Sequence, residues 1–410
     1  MRVAVLTTGT EILLGDVRDS HLAFIAQQLL AIGLRISEQR TVPDGLAIRE
    51  GLVDLFPKAD ILFVTGGLGP TTDDITREVV SELLGVELVQ DNGLLATIEK
   101  RLRARRIPIT DRISRQAQVP RGATVLPNKN GTAPGFYLQK KFSAAIASPE
   151  LFILPGPPRE LQPMFCEFVL PILHSIVSKP TFHRRLYRIA NMGESLVERA
   201  IGKQILAIPG VELGYCARPS EVDLRVIGDE ASVKQADAII TAALGESIYS
   251  SADESLEQVV VKLLREKKFT LGIAESCTGG LLANRITNVP GASNVLLAGY
   301  VVYSNESKID ILGVDPALIQ KNGAVSEPVA LAMAEGARKR CGAVYALSTT
   351  GIAGPDGGSA EKPVGTVFVG LASPNGVTTV RKLFFPNDRE TFKQQTAQAA
   401  FDMLRKQLRQ

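Results

Sequence analysis

Ser276 is followed by Cys277, Thr278, Gly279 and Gly280, where the apolar run Thr270 to Ala274 gives way to a helical pattern reaching about Asn288. A strand-to-helix junction exposes a side chain at the strand end. It also aims the unpaired N–H groups of the first helical turn at a ligand. The two glycines let a substrate approach the backbone. Such a turn suits a nucleophile with its oxyanion hole, and equally a serine that only caps a helix. Cys277 is a rival nucleophile of the same turn. Tyr303 ends the strand expected over Ala298 to Tyr303, and Lys308 lies in the first turn of the helix expected over Asn305 to Leu312. A lysine near a helix N-terminus meets an unfavourable dipole; if also desolvated, it can act as a base. Serine activated by lysine, with tyrosine relaying or orienting the proton, replaces a histidine triad. A solvated lysine on an amphipathic helix is the alternative. The loop Thr350-Gly351-Ile352-Ala353-Gly354, continuing to Gly358, can form a backbone nest for phosphate or a plain hairpin. Arg389, downstream, can pair with phosphate.

A second group lies near the start. Gly66-Gly67-Leu68-Gly69-Pro70-Thr71-Thr72-Asp73-Asp74 follows a buried run and opens a helical pattern. Its glycines can present N–H groups to a phosphate, and Asp73 and Asp74 offer hard oxygens to Mg²⁺. Capping of the helix by Thr72 or Asp73 is compatible with both roles. Glu11, Asp16 and Asp19 can add carboxylates to the same crevice, and the loops Gly131 to Gly135 and Pro155 to Glu160 are further candidates.

The elements that must position these residues alternate. Strands are expected at Val3 to Thr8 and 60–65, with helices over Leu22 to Leu30 and Asp73 to Leu84, which Gly85 closes. Strand, glycine loop and helix in repetition predict an α/β domain with a mainly parallel sheet, whose ligands bind beyond the carboxyl ends of the strands. Residues 1–172 form this domain. Residues 180–250 read β-α-β-β-α: Thr181 to Ala190, Glu194 to Leu206, Glu212 to Cys216, Glu221 to Ile227, Ala231 to Leu244. That order predicts a small α+β module. Residues 253–410 are a second α/β domain.

Composition narrows the chemistry. The 410 residues, 45% of them hydrophobic and 22% charged, describe an ordinary globular chain, not a disordered one or a disulfide scaffold. The three histidines, His21, His174 and His183, all lie in the first half, so a Ser-His-Asp triad confined to the last domain is excluded. The four cysteines are scattered with no C-x-x-C, which argues against a zinc site and for a reducing compartment. A net charge of +3 implies no tight grip on duplex nucleic acid, and the basic run Lys100 to Arg106 reads as the solvated end of a helix. The N-terminus shows no signal peptide or membrane span, so the cytoplasm is the expected location.

Several multi-residue motifs carry a resemblance. AESCTGGLLANRIT, GYVVYSNESK, GAVSEP, TGIAGPDGG and KPVGTV, in this order, resemble the C-terminal domain of the CinA (competence/damage-inducible protein A) family, which is similar to the nicotinamide mononucleotide deamidases. The resemblance implies hydrolysis of the nicotinamide carboxamide to a carboxylate with release of ammonia, a step of pyridine nucleotide salvage. Ser276 is then the implied nucleophile and Tyr303 and Lys308 its activating pair. Cys277, Thr278, Gly279, Gly280, Thr350, Gly351, Ala353, Gly354 and Arg389 are the implied substrate contacts. GTEILLGD, TGGLGPTTDDIT, GTAPGF and LPGPPREL resemble the N-terminal domain of the same family, which is similar to the molybdopterin-binding fold. That implies a divalent-metal-dependent ADP-ribose pyrophosphatase, with Gly66, Gly67, Gly69 and Thr71 binding substrate and Glu11, Asp73 and Asp74 holding Mg²⁺ or a similar ion. Where the family commonly has an Asn-containing stretch, this chain has Asp19-Ser20-His21. The middle segment resembles the family's KH-like linker domain but has no clear GXXG clamp, so no nucleic-acid partner is expected. The expectation is a two-activity hydrolase of pyridine nucleotide recycling, homodimeric, with no membrane partner and no cofactor in the deamidase domain. The alternatives are an N-terminal domain that only binds a pterin or nucleotide, and an accessory of DNA uptake or repair.

Overall fold

Val3–Thr8 is buried at every position, as a central parallel strand covered on both faces must be. The computed structural model describes residues 1–106, 108, 111–140, 147–177 and 182–410. They fall into two compact units, Met1–Thr181 and Phe182–Gln410.

In the first unit the sheet runs Ile36–Val42, Val3–Thr8, Ile61–Thr65, Glu150–Leu154, Gly135–Leu138, Thr124–Leu126. The first four strands are mutually parallel and the last two antiparallel. Thr7 pairs with Thr65 and Thr65 with Leu154, so three strands end level with one another. The loops that follow them, at Gly9, Gly66 and Pro155, therefore open at one edge, the usual place for a ligand in such a sheet. Helices Ala47–Leu55 and Thr76–Leu84 cover one face. Helix His21–Ala31, burying Ile25 and Leu29 at i, i+4 spacing, covers the other with Pro158–Met164 and Leu170–Ile176. The helix expected from Asp73 starts only at Thr76. Asp74 instead folds back to accept the N–H of Thr71 at 2.9 Å and its hydroxyl as well, which keeps 71–74 in a turn. Neither Thr72 nor Asp73 caps the helix; its N-cap is Ile75, with no side-chain bond.

The second unit begins with an antiparallel sheet ordered Glu212–Arg218, Glu221–Gly228, His183–Ala190, Ile248–Ser250, packed by helices Glu194–Leu206 and Glu230–Leu244. The expected strand start at Thr181 lies outside the described residues. A five-stranded sheet follows: Leu296–Val301, Leu271–Glu275, Tyr345–Gly351, Thr366–Ala372, Thr378–Phe384. Its first three strands are parallel and the last two antiparallel. Helices Leu256–Lys267 and Arg389–Arg409 pack on one face and Glu327–Cys341 on the other. Ala190 and Tyr249 of the first sheet are buried in the core of the second. Across the junction Asn191 donates to Asp402 (2.8 Å), Gln398 to Glu221 (2.7 Å) and Arg405 to the Glu246 carbonyl (2.7 Å). Among the described residues no helix is long and apolar enough to cross a membrane.

Candidate functional sites

Strand Leu271–Glu275 delivers Ser276 to the sheet edge, where its N–H bonds the Thr349 carbonyl of the neighbouring strand at 3.0 Å. Ser276 is 9% exposed, and its hydroxyl has no hydrogen-bond partner among the described residues. The short helix that follows, Leu281–Thr287, offers little to a ligand. The fully buried Glu275 carboxylate already accepts the N–H groups of Gly280 (3.0 Å), Leu282 (3.0 Å) and Ala283 (2.9 Å). The expectation that first-turn N–H groups face the substrate is corrected accordingly. The N–H groups of Cys277 and Thr278, which have no backbone partner among the described residues, are the donors left. Glu275 went unremarked in the sequence, although a carboxylate just before a glycine-rich helix start is a recognisable signal.

The side chains of this turn point inward. Thr278 shares a 2.7 Å hydrogen bond with the Thr349 hydroxyl. Cys277 lies in the apolar core, and burial pushes its thiol up to about 12, so it is a thiol and not a thiolate at neutral pH. The Thr350 hydroxyl donates to the Ala324 carbonyl (2.8 Å), and Ala353 is buried. What Thr350, Gly351 and Ala353 can offer a ligand is therefore backbone.

Lys308 is 1% exposed, which removes the solvated-lysine alternative. Its Nζ donates to the carbonyls of Val302 (3.0 Å), Tyr303 (3.0 Å) and Ser304 (3.2 Å). Burial draws its pKa below the ordinary lysine value, against the opposing pull of Cys277 and Glu306. The lysine thus clamps the segment that carries Tyr303. The Tyr303 ring itself is 61% exposed, and its hydroxyl accepts from Arg389 at 2.8 Å. Arg389 also donates to the Gly354 carbonyl at 3.0 Å, joining the tyrosine to the glycine loop. A Cβ built at Gly279 would stand 3.8 Å from the Lys393 ammonium. Lys393 is a further cation at the Ser276 turn, one helical turn beyond Arg389 in sequence.

The N-terminal unit holds a crevice of about 520 Å³ at the carboxyl ends of its strands. It gathers Glu11, Arg18, Asp19 and His21 from the segment after the first strand, Gly66 to Thr71, Asp73 and Asp74 from the second loop, Thr132 and Ala133, and Pro155 to Pro158 with Glu160. Gly66 has φ 101°, and a Cβ there would stand 2.7 Å from the Thr8 carbonyl, so only glycine lets this loop lie against the first strand. Asp44, missed in the sequence although Pro43-Asp44-Gly45 is a turn signature, accepts the Thr8 hydroxyl (2.6 Å) and the Thr10 N–H (2.9 Å) in this crevice.

Six carboxylates line the crevice: Glu11, Asp19, Asp44, Asp73, Asp74 and Glu160. Arg18 is the one cationic side chain among the described lining residues, so a diphosphate meets a net negative surface that an accompanying cation would offset. Among the described residues no three His, Cys, Asp or Glu side chains form a metal-holding group, so Glu11, Asp73 and Asp74 are not a closed centre. The hard-oxygen set does fit an ion held by one or two carboxylates together with ligand phosphates, as Mg²⁺ usually is. His21 is 7% exposed and lines the crevice; both ring nitrogens are buried, and the Gly156 backbone lies against the ring. Burial lowers its pKa below 6.5 against the raising influence of Asp19 and the Gly156 backbone.

Three family models match the chain in order. They are the "Probable molybdopterin binding domain" over residues 4–175, the "Damage-inducible protein CinA KH domain" over 184–250 and the "CinA C-terminal domain" over 253–408. The chain is similar to a CinA-like protein of Akkermansia muciniphila, 42% identical over 400 residues, covering 98% of this chain and 96% of the relative. It is also 42% identical over 414 residues to a Caldicellulosiruptor saccharolyticus protein named for competence-damage induction, with 99% of each chain covered. Among solved structures, it is similar to the competence/damage inducible protein CihA from Agrobacterium tumefaciens. That match has 37% identity and a TM-score of 0.36, covering 39% of this chain and all of that one.

Proposed function

The chain belongs to the CinA family, and from that premise we propose that its C-terminal module is an amidohydrolase that converts nicotinamide mononucleotide to nicotinate mononucleotide and ammonia. The observation that carries this reading is Ser276: an unpartnered hydroxyl at a strand end, with the free N–H groups of Cys277 and Thr278 beside it. Ser276 Oγ attacks the carboxamide carbon, and its proton passes, with Tyr303 as relay, to the neutral form of Lys308, whose amine keeps two of the three carbonyl bonds and turns its lone pair to the proton. The two N–H groups hold the oxyanion. Collapse of the tetrahedral adduct expels ammonia, which takes up the proton, and water then cleaves the acyl-enzyme to the carboxylate. Arg389 and Lys393 supply the positive charge that a mononucleotide phosphate needs. Ammonia release from nicotinamide mononucleotide, compared between wild type and Ser276→Ala, is the test. An active alanine variant would rule out the scheme.

For the N-terminal crevice we propose an ADP-ribose pyrophosphatase, supported by the glycine loops and the acidic lining. Of Glu11, Asp73 and Asp74, Asp74 is engaged by the Thr71 N–H and hydroxyl, so Glu11 and Asp73 are the carboxylates we assign first to a divalent ion, which when bound would neutralise diphosphate charge. Incubation with ADP-ribose, with Mg²⁺ or with EDTA, tests this. Binding without turnover in either condition would make the domain a nucleotide-binding module. We further propose a cytoplasmic homodimer, which sedimentation in dilute buffer would check.

A further inference from the structure

We infer that Lys393 is the residue that selects a phosphorylated substrate in the C-terminal site, its ammonium pairing with the phosphate, and that Arg389 is a positioning residue for Tyr303. This rests on reading that site as a nucleotide amidase. Asp388 caps helix Arg389–Arg409 by accepting the N–H groups of Glu390 and Thr391 (3.0 Å each), and the fully buried Phe392 anchors its first turn in the core. Arg389 and Lys393, four residues apart, then share one face of that helix. Their surroundings differ. The Arg389 fork is committed to the protein, at the Gly354 carbonyl (3.0 Å) and the Tyr303 hydroxyl (2.8 Å). Lys393 makes no ion pair or hydrogen bond among the described residues, although it is only partly exposed.

The place of that free ammonium follows from Gly279. A Cβ built on Gly279 would meet the Lys393 Nζ at 3.8 Å and no other atom within 4 Å. The glycine thus keeps a gap open between the Ser276 turn and the ammonium. The Gly279 N–H bonds the Ser276 carbonyl at 3.2 Å, so one tight turn separates this gap from the nucleophile. A nicotinamide mononucleotide with its carboxamide at Ser276 carries its phosphate one ribose further on, and Lys393 is a cation within that reach with no carboxylate to neutralise it. A phosphate there forms a charge-assisted bond to the ammonium. The hydroxyl that ends an unphosphorylated nucleoside brings no charge to it, so Lys393 separates nucleotide from nucleoside. Arg389 acts differently: it fixes the hydroxyl of a tyrosine whose ring is 61% exposed, and so serves both kinds of substrate alike.

Ammonia release by the full chain is compared for nicotinamide mononucleotide and for nicotinamide riboside, which has the same amide and no phosphate. Lys393→Gln is expected to raise the KM for the mononucleotide at least about tenfold while its kcat, and kcat/KM for the riboside, stay within about twofold. Lys393→Arg should recover most of the loss. Arg389→Gln is expected to lower kcat for both substrates by the same factor. Calorimetric titration with ribose 5-phosphate is the second measurement, and Lys393→Gln should weaken its binding at least about tenfold relative to wild type. Equal losses for mononucleotide and riboside in Lys393→Gln, or an unmoved mononucleotide KM, would overturn the Lys393 assignment. A loss confined to the mononucleotide in Arg389→Gln would overturn the positioning role. A wild type that releases no ammonia from the mononucleotide would remove the amidase reading instead; ribose 5-phosphate binding left unchanged by Lys393→Gln would then overturn the phosphate assignment separately.

Discussion

Two adjacent residues, Ser276 and Cys277, offer the same turn two nucleophiles, and burial separates them. The thiol lies in the core and is pushed up to about 12, whereas the hydroxyl is unpartnered at the strand end. Ser276→Ala is expected to lower the deamidation rate at least about a thousandfold, on the scale of losing a covalent nucleophile, while Cys277→Ala keeps the rate within about tenfold. Steady-state ammonia assays check both. Lys308 makes a pH prediction. A base must be neutral to accept a proton, and burial lowers this lysine's pKa from 10.5. Activity should therefore rise with pH through a midpoint below 10.5, and Lys308→Arg should abolish that rise while preserving the charge that binds the three carbonyls. A pH–rate profile with no alkaline limb in the wild type would remove Lys308 as the base. The motifs made Ser276, Tyr303 and Lys308 legible as a group. They did not show that Tyr303 meets Arg389, because 86 residues separate them in sequence.

At the scale of elements, helix Leu281–Thr287 is short and depends on Glu275, which takes three of its leading N–H groups. Glu275→Ala leaves those donors buried without an acceptor and is expected to destabilise the second unit by about 2–4 kcal/mol, more than an ordinary cap deletion. Glu275→Gln, keeping one acceptor oxygen, should recover part of the loss. Denaturant unfolding measures both. Most elements were legible from periodicity: helices Glu194–Leu206 and Asn305–Leu312, and strand Val3–Thr8, have the expected ends. The helix beginning at Thr76 was not, because a side-chain bond between Asp74 and Thr71 outweighs the helical preference of that stretch. The basic run at Lys100 to Arg106 does lie at the end of a helix, Asn92–Ala104, but Arg101 turns inward to the Asn128 carbonyl at 2.6 Å.

At the scale of the molecule, the middle module and the C-terminal domain are joined by hydrogen bonds to a buried ion pair as well as by packing. Asp402, 1% exposed at its side chain, pairs with the fully buried Arg405 at 2.5 Å and accepts from Asn191 of the middle module. Removing one partner of a buried pair leaves the other charge uncompensated, so Asp402→Ala should cost about 3–5 kcal/mol. Replacing both, in Asp402→Leu with Arg405→Leu, should cost less. Calorimetric unfolding of the full chain distinguishes the two. Helix Arg389–Arg409 links this junction to the glycine loop of the C-terminal domain, since Arg389 at its start bonds Gly354 and Tyr303. Loosening the junction is therefore expected to raise the KM for nicotinamide mononucleotide more than it lowers kcat.

The order of modules, the α/β alternation and the motif loops were set by the sequence alone, because hydrophobic period, glycine placement and capping residues act over a few positions. Tertiary structure decided which loops share an edge. It also decided that Glu275 and Asp44 brace the candidate sites, and that Cys277 and the Thr350 hydroxyl face inward. Burial and hydrogen-bond satisfaction depend on what packs from distant parts of the chain, and local pattern carries no record of that.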